Sequence, residues 1–161
     1  MSAPDPGSVF DETRRRIEAD PGVRLFTVLQ WLPERRTLRR VASTHPTEYP
    51  VGAEKSLEVS GGWLDAVIDN RRSFLGTHES DVAAVFADID LIRSLGCGSV
   101  INTPILSRGV SVGVLAILDR DGAYDDQSVT TVERHVNAMS EDLASAFAQL
   151  SCDSTTFRTH Q

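Results

Sequence analysis

Residues 99–118, SVINTPILSRGVSVGVLAIL, carry the clearest indication of the fold. Two runs rich in aliphatic residues, 98–107 and 110–119, are joined by the dipeptide Arg108-Gly109. A two-residue connection that contains glycine is typical of a tight β-hairpin, because glycine readily adopts a positive φ. The stretch therefore predicts two adjacent antiparallel strands.

A second hairpin is predicted near the start of the chain. Residues 23–32 form an apolar run that suits a central strand. Apolar and polar residues alternate well enough along 37–44 for this segment to pair with that strand after a short turn. A helix over residues 8–20 precedes this hairpin, and Pro21-Gly22 ends the helix.

The middle of the chain is predicted to consist of loops, short helices and short strands. Residues 45–59 form a loop with a short strand, Ser60 caps a short helix, and residues 72–76 form another short strand. A second helix opens near Asp81 and ends near Gly96. Its apolar residues recur at helical spacing: Val82, Val85, Phe86, Ile89 and Ile92.

The most regular segment is a helix predicted over residues 125–150. Its apolar seam follows 3-4 spacing over three heptads: Val129, Val132, Val136, Met139, Leu143, Ala146 and Leu150. Such a seam packs either on the sheet of its own chain or on a second copy. Residues 151–161 have no apolar pattern and are expected to form a flexible tail, as are residues 1–7, which leaves one domain over 8–150.

The order of these elements indicates an α+β fold. Adjacent hairpins imply an antiparallel sheet of about five to six strands with helices packed over it. A chain of 161 residues fits one domain and can bury a sufficient core without disulfides or metals.

The charge balance argues against a nucleic-acid partner. Sixteen basic and 23 acidic residues give a net charge of −7, whereas a phosphate backbone requires a basic surface. The local exception is the sequence ERRTLRR at residues 34–40. Its four arginines form either a solvated hairpin tip or a contact with an anion or partner.

The sequence also favours a cytoplasmic protein without a membrane span. It does not open with a basic segment followed by an apolar core, and its apolar runs are shorter than the ~20 residues of a span. The two cysteines, Cys97 and Cys152, do not make a disulfide framework.

The chain resembles the GAF domain, a small-molecule sensing module, and in particular stand-alone bacterial GAF proteins. The resemblance rests on SVINTPI at 99–105, VGVLAIL at 112–118 and YDD at 124–126, and it extends over most of residues 8–150. It implies a PAS-like sheet with the terminal helices on one face. A ligand pocket would lie on the other face, under the loops and short helices of about residues 48–96.

Seven residues are candidates for the wall of that pocket: Tyr49, Trp63, Phe74, Phe86, Cys97, Ser99 and Asn102. Small-molecule sites combine apolar walls with a few polar groups, and this set supplies both. For the aromatic residues, plain core packing is the alternative. For Asn102 the alternative is hydrogen bonding to the backbone, and for Cys97 it is burial at the start of a strand.

No catalytic, cofactor or metal site is predicted. Gly96-Cys97-Gly98 lacks the third glycine of a dinucleotide fingerprint, and no metal-ligand spacing occurs. Enzymes with this fold, the free methionine-(R)-sulfoxide reductases, need a resolving thiol as well as an attacking one. The loop at residues 59–63 has no cysteine where that family places one, so the reductase is a disfavoured alternative.

The resemblance therefore implies a sensor rather than an enzyme. We expect it to bind an unidentified small organic ligand and to form a homodimer through its terminal helices. Because no output domain is visible in the sequence, we expect a separate signalling protein as partner. A purely structural dimerisation module is a further alternative.

Overall fold

The computed structural model describes residues 4–55 and 61–159. The helices are α1 (Pro6–Ala19), α2 (Gly61–Leu64, continued by a π-helical turn at Asp65–Asp69), α3 (Glu79–Ala83), α4 (Ile89–Ser94) and α5 (Asp126–Thr159). The strands are β1 (Leu25–Leu32), β2 (Thr37–Ser43), β3 (Glu54–Lys55), β4 (Phe74–Gly76), β5 (Ser99–Ser107) and β6 (Val110–Asp119).

The six strands form one open sheet in the order β3-β2-β1-β6-β5-β4, and every neighbouring pair is antiparallel. The predicted α+β fold is therefore confirmed. β1, β6 and β5 lie inside the sheet and are buried on both faces. Because neither face of these strands meets solvent, β1 and β6 are largely apolar, whereas β5 also buries the polar residues Ser99, Asn102 and Thr103.

The hairpin predicted from residues 99–118 is formed by β5 and β6, with Ser107 opposite Val110 at its closed end. The two residues of the turn both have a positive φ, 53° at Arg108 and 77° at Gly109. Turns with two positive φ angles match the twist of paired strands, which is why they connect hairpins so often.

One face of the sheet is covered by the terminal helices α1 and α5. The seam of α5 is buried within the single chain: Val132, Val136 and Leu143 are at most 1% exposed and belong to one core with Phe26 of β1. The seam could pack on the sheet of its own chain or on a second copy, and in the structure it packs on its own sheet.

Gly113 on β6 allows α5 to approach the sheet closely. A Cβ atom at this position would lie 2.5 Å from the carbonyl oxygen of Leu29 and 2.6 Å from the ring of Phe147. Neither distance is available to a real side chain. The glycine of the VGVL stretch is therefore required by helix packing.

The other face is covered by α2, α3 and α4. The single helix predicted from Asp81 to Gly96 is wrong, because α3 ends at Ala83 and α4 begins only at Ile89. The intervening residues leave the helical path, so that Phe86 packs into the core of this face. The predicted cap Ser60 lies outside the described residues.

Both ends of the domain differ from expectation. α1 begins at Pro6 rather than near residue 8, and the Asp5 carboxylate accepts a hydrogen bond from the Ser8 amide. The sequence predicts that α5 ends near Leu150, whereas α5 remains helical to Thr159; residues 160–161 of the predicted tail lie outside the described residues. Within the described residues, no helix is long and apolar enough to span a bilayer.

Candidate functional site

A cavity of about 40 Å³ lies between the sheet and the segments that cover it opposite α1 and α5. Of the residues that the structure describes, seven apolar and five polar ones line it: Leu25, Leu29, Phe86, Ile92, Val100, Ala116 and Leu118, with Thr27, Arg40, Tyr49, Asp88 and Asn102. The floor of the cavity is formed by alternate residues of β1, β5 and β6, because every second side chain of a strand lies on the same face of the sheet.

Arg40 of β2 is the only cationic residue among the described residues that line the cavity. It is 8% exposed, its Nη1 donates to the Pro50 carbonyl at 3.2 Å, and its guanidinium carbon lies 4.9 Å from the Tyr49 ring centroid. Its Nε is buried and has no hydrogen-bond partner among the described residues. Burial lowers the pKa of Arg40, while Tyr49 and Asp88 oppose that shift; an arginine remains charged all the same.

Tyr49 and Asp88 form a short hydrogen bond at the cavity. The Tyr49 hydroxyl donates to Asp88 Oδ2 at 2.6 Å. Burial raises the pKa of Tyr49, and the Asp88 carboxylate raises it further, so the phenol stays protonated. Asp88 precedes α4 directly, but its side chain makes no capping hydrogen bond to that helix and is committed to Tyr49 instead.

Asn102 of β5 is oriented by Trp63 of α2. The indole Nε1 donates to Asn102 Oδ1 at 2.9 Å, and both residues are buried. An indole N–H is a donor only, so the amide oxygen must face Trp63 and the amide nitrogen must point elsewhere. That nitrogen has no acceptor within residues 4–55 and 61–159.

Phe86 is the centre of an aromatic cluster beside the cavity. Trp63 meets it edge-on at 6.4 Å between ring centroids, and Phe74 does so at 6.0 Å. Phe86 itself lines the cavity, whereas Trp63 and half-buried Phe74 stand behind it. Edge-on aromatic pairs add about 0.5–1.5 kcal/mol to simple burial.

The structure thus brings together five of the seven predicted pocket residues. Tyr49, Phe86 and Asn102 line the cavity, and Trp63 and Phe74 contact these lining residues.

Ser99 does not face the cavity, because it precedes Val100 and therefore points to the opposite side of β5. It is fully buried, donates to the Gly76 carbonyl at 3.1 Å and accepts from the Tyr124 amide at 3.1 Å. Its role is to join β4 to the segment before α5.

Cys97 is buried in the core on the cavity side but does not line the cavity. Burial raises the pKa of its thiol to about 11; Arg24 lowers it and Asp119 raises it by smaller amounts. At neutral pH the thiol is therefore protonated, whereas a nucleophilic cysteine has a depressed pKa.

Sequence reasoning missed Arg40, Asp88 and Thr27 as cavity residues. The signal for Arg40 was present, because it follows Leu38 by two positions and so shares the inward face of β2. Its neighbour Arg39 points to the other face and donates to Gln30 Oε1 at 2.9 Å. The side chain of Gln30 in turn donates to Ser151 Oγ on α5 at 2.8 Å.

The described residues contain no group of three or more His, Cys, Asp or Glu side chains placed to hold a metal ion. The polar groups of the cavity are hydrogen-bonding groups around an apolar floor, an arrangement suited to binding a small molecule.

Solved structures of GAF domains match this architecture over most of the chain. The GAF domain/HD domain protein from Geobacter sulfurreducens has a TM-score of 0.71 at 13% identity, over 89% of this chain and 95% of that one. The GAF domain of a phosphoenolpyruvate-protein phosphotransferase from Coxiella burnetii also has a TM-score of 0.71, at 12% identity, over 93% and 89%.

The chain has the GAF fold. A red/green cyanobacteriochrome in its red light-absorbing state shares the GAF fold with a TM-score of 0.68 at 14% identity, over 88% of this chain and 96% of that one. No protein-family model and no curated protein matches the sequence. The GAF fold is therefore visible in the backbone arrangement, and the sequence resemblance noted at residues 99–126 agrees with it.

Proposed function

We propose that this chain is a sensory or regulatory domain that binds a small organic molecule in the cavity under α4 and the segment that precedes it. The observation that carries the proposal is the lining of the cavity, in which the described residues combine an apolar surface with Arg40, Tyr49 and Asn102. Small-molecule sites combine apolar walls with a few polar groups in this way.

The sheet provides a physical connection between the cavity and the terminal helices. β1, β5 and β6 carry cavity residues on one face and the α1–α5 core on the other. A ligand that binds one arrangement of these strands more tightly than another shifts the population of both faces. The proposed output is a change at α1 and α5 that a second copy or a separate signalling protein recognises.

A homodimer through the terminal helices is part of this proposal. Because the apolar seam of α5 is already buried within the chain, the contact would use the outward faces of α1 and α5. Sedimentation equilibrium should then give twice the 17.6 kDa of the chain. A mass of one chain at micromolar concentration would remove the dimer from the proposal and leave ligand binding untouched.

The reductase alternative is not supported by the thiol at the site. Cys97 is 2% exposed and has a raised pKa, so a thiolate able to attack a sulfoxide is not formed near neutral pH.

Ligand binding is tested by a thermal-shift screen of common metabolites. A ligand at about 100 times its Kd stabilises the folded state by about 2.7 kcal/mol, which corresponds to a shift of several degrees. We expect the shift to vanish in Ala116→Val, which fills the cavity floor. It should persist in Ala42→Val, which adds the same two methyl groups on the helix-covered face. A ligand whose effect survives Ala116→Val would place binding outside this cavity.

A further inference from the structure

The amide nitrogen of Asn102 is a hydrogen-bond donor that the fold leaves open to the cavity. Asn102 is 2% exposed and lines the cavity. Because the Trp63 indole donates to Oδ1, the amide nitrogen faces away from Trp63, and it has no acceptor among the described residues. Arg40 Nε is enclosed by protein atoms, whereas the Asn102 nitrogen borders space that a water-sized group can enter. A ligand that pairs with this nitrogen must supply an acceptor.

The strand register shows which side chains lie within reach of that nitrogen. Asn102 stands directly opposite Ala116 of β6. Val100, two residues earlier on the same face of β5, stands opposite Leu118, and all four residues line the cavity. Opposite residues of an antiparallel pair have Cβ atoms about 4.5–5.5 Å apart, and alternate residues of one strand are about 7 Å apart. A small molecule bonded to Asn102 therefore contacts these three apolar side chains.

The charged groups of the cavity lie at its other side and offset one another. Arg40 is on β2, and β1 and β6 separate β2 from β5, so the backbones of β2 and β5 are about 14 Å apart. The cavity lining also includes Asp88, which brings one negative charge against the positive charge of Arg40. An ion beside Asn102 would lose its hydration against apolar side chains and gain no ionic partner there. The site beside Asn102 therefore favours a neutral molecule.

The space beside Asn102 suits an organic molecule better than water. The cavity of about 40 Å³ has room for about three waters, since one requires about 10–15 Å³. A buried water makes about three hydrogen bonds, but the neighbours of the Asn102 nitrogen on the floor are aliphatic. Thr27, the next polar residue of that row, lies two strands away at about 10 Å, and its hydroxyl donates to the Ala116 carbonyl.

The same surroundings favour a ligand that accepts a hydrogen bond and does not donate one. A hydroxyl or amide N–H on the ligand would be buried against aliphatic side chains without an acceptor, which is unfavourable. Alkyl groups gain free energy on that surface. A carbonyl oxygen on a short hydrocarbon meets both conditions.

We propose that the cavity takes a small neutral ketone or aldehyde. Its carbonyl oxygen accepts a hydrogen bond from Asn102 Nδ2, and its alkyl groups contact Val100, Ala116 and Leu118. Trp63 is the positioning residue for this specificity, because its indole N–H keeps the amide oxygen away from the ligand. This inference rests on the proposed function, because it names the class of ligand for the same cavity.

The direct test is a titration with acetone and butanone, followed by ¹H–¹⁵N spectra of the side-chain amides. The Asn102 signal is assigned by its absence in Asn102→Leu. We expect a saturable shift of that signal and nuclear Overhauser effects between the methyl groups of the ketone and that of Ala116. Because a ligand of so few atoms can gain little binding free energy, the titration extends into the millimolar range.

Three compounds of similar size test the ligand class. Isopropanol adds a donor, acetate adds a negative charge and isopropylammonium adds a positive charge. Each should bind in the cavity at least about tenfold more weakly than acetone, because it buries a group that finds no partner there.

Two variants assign the specificity to the amide and to its orientation. Asn102→Leu should weaken acetone binding by about fivefold, as expected for the loss of one hydrogen bond. Asn137→Leu makes the same change on the exposed face of α5 and should leave the Kd unchanged. In Trp63→Phe the amide can turn its oxygen to the cavity, so the preference for acetone over isopropanol should fall towards one.

The outcomes separate the ligand class from the proposed function. If other compounds of the metabolite screen bind in the cavity and ketones do not, the ketone inference is overturned and the sensor proposal stands. If isopropanol or an ion binds as tightly as acetone, or the ketone shows no contact with Ala116, the inference is also overturned. If no compound binds, both proposals are overturned. If Asn102→Leu does not fold, Trp63→Phe decides: an unchanged preference for acetone in that variant contradicts the inference.

Discussion

Trp63 and Asn102 show how a single hydrogen bond determines the chemistry of the cavity. The bond joins a helix on the covering layer to a strand of the floor, at 2.9 Å and with both groups buried. It holds the amide in one orientation, and that orientation decides whether the cavity offers donors or acceptors. Removing the indole N–H frees the amide to rotate.

We therefore expect Trp63→Phe to destabilise the fold by about 1–3 kcal/mol, because the Asn102 oxygen loses its donor in a buried position. In an Asn102→Leu background the same substitution should cost about 1 kcal/mol less, since no amide is then left unpaired. Urea unfolding of the four proteins measures both values. Equal costs in the two backgrounds would show that Trp63 acts through packing alone.

Cys97 gives a prediction for alkaline pH. Burial raises the pKa of its thiol from 9.0 to about 11, so the folded state holds this proton where the unfolded state has lost it. The contribution to stability is fully present below pH 9 and is lost as the pH rises through 11. Between pH 8 and pH 10 the wild type should lose about 1 kcal/mol more than Cys97→Ala.

The measurement is the urea midpoint of both proteins at several pH values. Tyr49 and Tyr124 also have raised pKa values because of burial, so both proteins lose further stability above pH 10. The pKa of Cys97 is therefore read from the difference between the urea midpoints of the wild type and Cys97→Ala. Parallel curves from pH 8 to 10 would contradict the raised pKa of Cys97.

At the scale of elements, the contact between β6 and α5 depends on Gly113. Its absent side chain leaves room for Phe147, and the carbonyl of Leu29 closes the same space from the neighbouring strand. A backbone carbonyl inside a sheet cannot move away without breaking the ladder. Any side chain at Gly113 would therefore have to displace Phe147 or the backbone of Leu29.

Gly113→Ala should lower the unfolding free energy by about 1–3 kcal/mol, the usual range for overpacking a core. Gly62→Ala is the matched control, because a Cβ there meets nothing within 4 Å. That variant should be neutral or slightly stabilising, since alanine is the better helix former. Calorimetry of both proteins gives the comparison. A neutral effect of Gly113→Ala would mean that α5 can move outward without cost.

Prediction from sequence succeeded for elements that depend on local signals. The β5–β6 turn and the seam of α5 are encoded by residues close together in the chain, so the sequence indicated both. The sequence does not predict the break between α3 and α4, because helical spacing continues through it; at the break Phe86 packs into the core and Asp88 accepts the Tyr49 hydroxyl.

Tyr49 and Phe86, which the sequence predicts for the pocket, line the cavity, and so do Arg40 and Asp88, which it does not predict. Aromatic residues in a segment that covers a sheet are expected to point inward. An arginine near a hairpin turn is expected to reach solvent, and Arg40 does not, because the segment around Pro50 covers it. Ser99 is predicted to line the pocket but lies on the other face of β5, because side chains alternate along a strand and its neighbour Val100 lines the cavity.

At the scale of the whole molecule, one sheet separates two cores. The chain has two tryptophans, Trp31 and Trp63, and both belong to the core on the cavity side. The apolar residues of α5 belong to the other core. The inner strands contribute side chains to both. Neither core can persist once those strands separate.

The two cores should therefore unfold together. Tryptophan fluorescence reports the cavity side, and far-UV circular dichroism is dominated by α5. We expect their urea transitions to coincide within error, as a two-state transition requires. A fluorescence transition at lower urea would show instead that the covering layer opens while the helix-covered core remains intact.

The alternation of β2 has a mechanical consequence at this scale. Arg40 contacts the cavity, and Arg39, one peptide bond away, is linked through Gln30 to Ser151 near the end of α5. A peptide unit is rigid, so a rotation of the strand that moves one of these arginines moves the other in the opposite sense. Ser151 of the longest helix is therefore linked to the wall of the cavity through side chains of two neighbouring strands, β2 and β1.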